Sequence, residues 1–108
     1  MELSPSQRIK LSDKLHAIMD PLDGKVYYQP PENTKLVYPC LIYELDDVYI
    51  HKADNGPYSM YDRYQVTFLR HEPESPVIRQ LLALEHSSFS RHFATSGVNH
   101  DVFVIYHK

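Results

Sequence analysis

Apolar residues Leu11, Leu15, Ile18 and Leu22 recur at spacings of four, three and four, which places one stripe along a helix. Ser4, Pro5 and Gln7 supply a cap, a first helical position and a capping box, and so predict where the helix starts. Asp20-Pro21 predicts its end, because a residue before proline is driven out of helical backbone. A short strand over residues 26 to 29 precedes an extended turn at Pro30-Pro31. The stretch "YPCLIYELDDVYIHKA" then alternates as a strand does. Leu41, Tyr43 and Leu45 share one face, and Ile42 and Glu44 the other; Val48 and Ile50 alternate with Tyr49 and His51. Asp46-Asp47 holds no glycine or asparagine for a tight turn, so a bend or bulge is preferred there to a turn between two strands.

The stretch "RYQVTFLR" reads as a strand with Tyr64, Val66 and Phe68 on one face. In "HEPESPVIRQLLALEH", Ser75 caps and Pro76 opens a second helix, with Glu72 and Glu74 suited to the positive end of its dipole. Its apolar side takes Val77 or Ile78, then Leu81, Leu82 and Leu84. The chain closes on a β-hairpin, residues 88–95 and 101–107, around a turn built on Gly97 and Asn99. This order predicts a single α+β domain over residues 1–108: an antiparallel or mixed sheet of about four or five strands, with two helices packed on one face. Such a sheet leaves two edges and one bare face, which must be charged, short, or paired with another subunit.

Composition sharpens the picture in three places. The chain of 108 residues carries a net charge of −3 with acids and bases interspersed, so it lacks the dense basic face that grips nucleic acid. The single cysteine, Cys40, excludes an internal disulfide and a cysteine zinc site, and its apolar surroundings predict a buried thiol. No apolar run approaches a membrane span and no signal pattern opens the chain, so folding in a reducing cytoplasm is expected. Nine tyrosines and no tryptophan favour strands and contact surfaces.

The polar residues form no recognised catalytic spacing. His86, His92, His100 and His107 crowd the last segment without an H-x-x-x-H or H-E-x-x-H pattern, and Arg91 beside His92 disfavours a cation. Surface histidines at strand ends are the preferred reading over a metal site. Asp46 and Asp47, as neighbours in a strand, point to opposite faces and are poorly placed to share a proton or substrate. Ser87, Ser88 and Ser90 lie near histidines but outside any G-x-S-x-G elbow, and three glycines provide no phosphate-cradling loop.

One stretch, "HKADNGPYSMYDRY" (residues 51 to 64), concentrates polar and aromatic groups. Asp54, Asn55 and Gly56 are turn formers, and their spacing departs from the calcium loop. Tyr58, Met60 and Tyr61 suit an exposed protein contact, although Met60 and Tyr61 could equally begin the next strand and pack inward.

Three segments, "YPCLIYELDDVYIHKADN", "YQVTFLRHEPESPVIRQLL" and "SSFSRHFATSGVNHDVFVIYHK", follow the amphipathic helix. Together, over residues 8–107, they resemble the tail terminator (tail completion, or tail-to-head joining) proteins of long-tailed bacteriophages and prophages. The resemblance implies an α+β subunit that assembles as a ring, typically a hexamer. The ring caps the tail tube, stops its polymerisation and joins it to the head. Implied partners are further copies of the chain, the tail tube protein and the head-completion or neck proteins. DNA would pass through the lumen without specific binding, and no membrane is involved. No enzyme activity, metal or cofactor is implied, and the place of action is the virion tail or neck, assembled in the bacterial host cytoplasm. On this view sheet edges or tyrosine faces form the subunit contact. The Asn55–Met60 loop would project toward the lumen or the adjoining tail or neck ring, with Asn55, Tyr58, Met60 and Tyr61 as the candidate contact residues. Rival readings are another small phage neck protein, a non-catalytic cytoplasmic adaptor, and a small metal hydrolase or nuclease using the C-terminal histidines.

Overall fold

The computed structural model describes residues 5–51 and 59–107. Helix α1 (Pro5–Met19) is followed by one 3-10 turn, Asp20–Leu22. Strands β1 (Lys25–Tyr28), β2 (Cys40–His51) and β3 (Ser59–Arg70) come next, then α2 (Val77–Leu82), β4 (Ser87–Thr95) and β5 (Val98–His107). The strands form one five-stranded sheet in the order β1-β2-β3-β5-β4. Among the described strands only β1 and β2 run parallel; every other neighbouring pair is antiparallel. The chain is thus an α+β protein with a mixed sheet and two helices.

Both helices cover the same face. Leu11, Leu15 and Met19 of α1 and Val77 and Leu81 of α2 share one core with Leu41, Tyr43, Tyr64, Val66, Phe68, Phe103 and Ile105. The strand residues in that core alternate, as period-two packing requires. On α1 the fully buried stripe runs Leu11-Leu15-Met19, with Ile18 and Leu22 packed beside it rather than at its centre. The α-helix stops before Asp20-Pro21, and Asp23 closes the 3-10 turn in left-handed backbone, its N–H donating to the Asp20 carbonyl at 2.9 Å. Gly24 follows where a Cβ would collide with the Met19 methyl and sit 3.1 Å from the Pro39 carbonyl oxygen. The predicted cap Ser4 lies outside the described residues.

The opposite face is only partly covered. Cys40, Leu69 and Val98 form a small second cluster, against which Tyr27, Leu36 and Ile42 pack. Leu36 comes from the connection between β1 and β2, so this crossover lies over the face that has no helix. Three tyrosines are absorbed by the main core. The Tyr43 ring lies 4.8 Å from Tyr28 and 6.0 Å from Tyr64. Burial, reinforced by the Asp62 charge, pushes the Tyr64 hydroxyl up to about 12.

Three details differ from the sequence expectation. Strand β3 begins at Ser59, well before Tyr64. Helix α2 spans six residues, and Ser75 Oγ accepts the Val77 N–H at 3.3 Å. The final hairpin turns on Ser96 and Gly97, with φ of 53° and 79°, and Asn99 is already in β5 opposite Ala94. Two positive-φ residues make the turn whose twist matches the strands it joins. The bend expected at Asp46-Asp47 is a β-bulge: β2 is continuous, and its register slips between Leu45 and Asp47.

Candidate protein-contact surface

The sheet's two central strands outrun their neighbours. Strand β1 pairs with β2 only from Cys40 to Tyr43, and β5 pairs with β3 only as far as Asp62. Beyond these points β2 and β3 pair only with each other, from Tyr49↔Tyr61 to His51↔Ser59. The result is a two-stranded ribbon on a molecule of 52 × 26 × 25 Å. A lone ribbon has no sheet beneath it and little stability of its own. The bulge residue Asp46 lies just short of its root, where β5 still pairs with β3. Arg63 Nε lies 3.1 Å from the Asp46 carboxylate, with both side chains about a third exposed. The Asp47 carboxylate accepts the Val48 N–H at 2.8 Å.

Met60 is 49% exposed on this ribbon, and Val48, just short of its root, is 41% exposed. The pairs Val48↔Asp62 and Ile50↔Met60 are two residues apart, so Val48 and Met60 share a face. Met60 therefore both begins the strand and faces outward. Tyr61 is half-buried, its ring edge-on to His86 at 6.0 Å. Asn55 and Tyr58 lie outside the described residues.

A second apolar margin lies on β4, the edge strand at the far side of the sheet. Phe89 and Phe93 are 45% and 39% exposed there. Phe89 meets Phe103 edge-on at 5.4 Å, whereas Phe93 stacks on His100 at 4.5 Å, with the Arg91 guanidinium 5.5 Å from its ring. The register sets these two rings on opposite faces of the strand, flanking the bulge between Phe89 and Arg91.

Between β3, β5 and β4 lies a polar network that sequence reasoning missed. Arg70 Nε donates to Asp101 Oδ2 at 2.9 Å, and His92 Nδ1 lies 2.7 Å from Asp101 Oδ1. Arg70 also donates to the Glu72 carbonyl, which accepts from Asn99 Nδ2 at 3.3 Å as well. Arg70 and Asp101 are buried, and His92 is 44% exposed. A signal existed. Arg70 continues the Tyr64-Val66-Phe68 phase and Asp101 precedes Phe103 and Ile105, which puts both on the inner face.

The other histidines are dispersed. His100 Nδ1 lies 3.2 Å from the Val98 carbonyl, His71 Nδ1 lies 3.1 Å from the Gly97 carbonyl, and His86 and His107 line one cleft at the end of β5. Among the described residues no three His, Cys, Asp or Glu side chains converge to hold a metal ion. No described helix is long and apolar enough to cross a membrane. Burial pushes the Cys40 thiol up to about 11, which suits packing rather than nucleophilic chemistry. The chain matches no known family model and no curated protein.

Proposed function

We propose that this protein is a structural subunit of a phage or prophage tail neck, a tail-terminator-like protein that assembles as a ring, caps the tail tube and joins it to the head. The observation that carries the reading is the β2–β3 ribbon, which projects past both flanking strands with Met60 exposed on it and Val48 exposed on the same face just short of its root. Exposed apolar side chains on a projection favour a partner surface. A closed ring needs two unlike patches on each subunit, one meeting the other on the neighbour. The ribbon face and the Phe89–Phe93 margin of β4 differ in shape and position, and so could serve as such a pair. The resemblance of the three sequence segments to tail terminators supplies the partner class.

The reading is tested by mixing the purified protein with tail tubes and imaging them. Density at one tube end, together with arrest of further tube growth, is the expected result. Tubes that lengthen unchanged and stay bare at both ends would overturn it.

A further inference from the structure

A cleft of about 330 Å³ lies at the root of the ribbon, where β5 ends, lined by Lys14, Tyr61, Glu85, His86, Tyr106 and His107. Four separate segments close on it: α1, the start of β3, the α2–β4 connection and the end of β5. His86 is held there in left-handed backbone at φ 61° while its ring rests against Tyr61. His107 Nδ1 is buried with no hydrogen-bond partner among the described residues. A buried polar atom left unpaired is costly, by about 1–3 kcal/mol, and most such atoms in folded proteins find a partner.

We propose that this cleft binds one small oxyanion, a carboxylate or a phosphate-type group, with the Lys14 ammonium as its counter-charge and the His107 imidazole as a hydrogen-bond donor. The site does not depend on the ring reading. The charges around His107 favour an anion. From α1 it is faced by Lys14 and Lys10, and from β3 by Asp62, its register partner. Glu85 and His86 come from the α2–β4 turn, and Tyr106 from β5 itself. Asp62 opposes the two lysines directly, and the Glu85 carboxylate lies 3.9 Å from His86 Nε2, but its side chain is 85% exposed and its charge is screened by water. Burial first, then Lys14 and Lys10, holds the imidazole below its ordinary pKa, and Asp62 offsets this only in part. An oxyanion in the cleft offsets both the burial and the lysine charges. Its binding therefore draws a proton onto His107, and affinity rises as pH falls.

Acetate and sulfate are suitable probes because neither changes charge between about pH 6 and 8, and chloride at matched ionic strength controls for screening. The His107 ring resonances of the full chain are followed by NMR as each probe is added. Saturable shifts with acetate or sulfate and none with chloride are expected, and the stronger probe tells carboxylate from phosphate-type recognition. Lys14→Gln, an exposed change on α1, should weaken binding about tenfold. His107→Gln should remove the pH dependence, while His86→Gln should leave it in place. Absent or non-saturating shifts, or unchanged affinity in Lys14→Gln, would overturn the site. A pH dependence that survives His107→Gln would overturn the role given to that ring.

Discussion

Arg70 and Asp101 stand thirty-one residues apart in the chain and meet through a 2.9 Å hydrogen bond between side chains only 5% and 2% exposed. This ion pair ties the end of β3 to the start of β5. Asp101 divides its oxygens between Arg70 and the half-exposed His92, so the edge strand β4 is fastened through the same carboxylate. Breaking a buried pair leaves one charge stranded, which costs far more than the pair itself contributes.

Asp101→Ala should accordingly destabilise the protein by about 3–5 kcal/mol, and lower its melting temperature by roughly 10 °C or more. Removing both partners at once, as Arg70→Met with Asp101→Leu, should restore much of the loss. Thermal melts of the two variants beside the parent chain check this, and equal losses in both would contradict it.

Burial and the α1 lysines depress the pKa of His107 from its ordinary 6.5. Below that value the unfolded chain takes up a proton that the folded chain resists, so stability should fall as pH drops beneath 6.5. The fall ends once the folded ring is protonated too. Denaturant midpoints at about pH 7.5 and 5.5 should differ less for His107→Gln than for the parent chain.

Cys40 is fully buried and its thiol is pushed up to about 11. A disulfide reagent at neutral pH should leave it unmodified in the native protein and react promptly once denaturant is added. Stoichiometric labelling of the folded protein would contradict its place in the small second cluster.

On the proposed function, the ribbon separates stability from assembly. Val48→Lys and Met60→Lys alter exposed side chains and should shift the melting temperature by less than about 3 °C. If this face is the tube contact proposed above, both should abolish capping of tail tubes, because a charge placed in a protein contact is hard to desolvate. Variants that cap tubes as well as the parent chain would remove the ribbon face from the contact.

Much of the fold was legible because its signals are local. The alternation of Tyr64, Val66 and Phe68, or of Leu41 and Tyr43, reports a buried sheet face without knowledge of any partner strand. The bulge at Asp46 was foreshadowed by the absence of turn formers. The parallel pairing of β1 with β2 was not legible, since two strands joined by an irregular crossover leave no periodic trace. Nor was the choice of Met19 over Ile18 at the end of α1, which depends on where Gly24 lets the chain approach. Turn chemistry pointed to Gly97 and Asn99, yet which two residues turn is decided by the register of β4 on β5. The ribbon's length is likewise a difference between strand ends, and only the assembled sheet reveals it.

The bulge at Asp46 gives the ribbon two independent settings. Beyond it the paired strands extend for roughly 15 Å, so a tilt of about 10° at the bulge sweeps the far end by roughly 3 Å. Residue pairs added past Arg63 would lengthen the reach and keep the bearing. Deleting Asp46 would change the bearing and keep the reach. A ribbon built this way can be re-aimed by editing one residue, with the core left untouched.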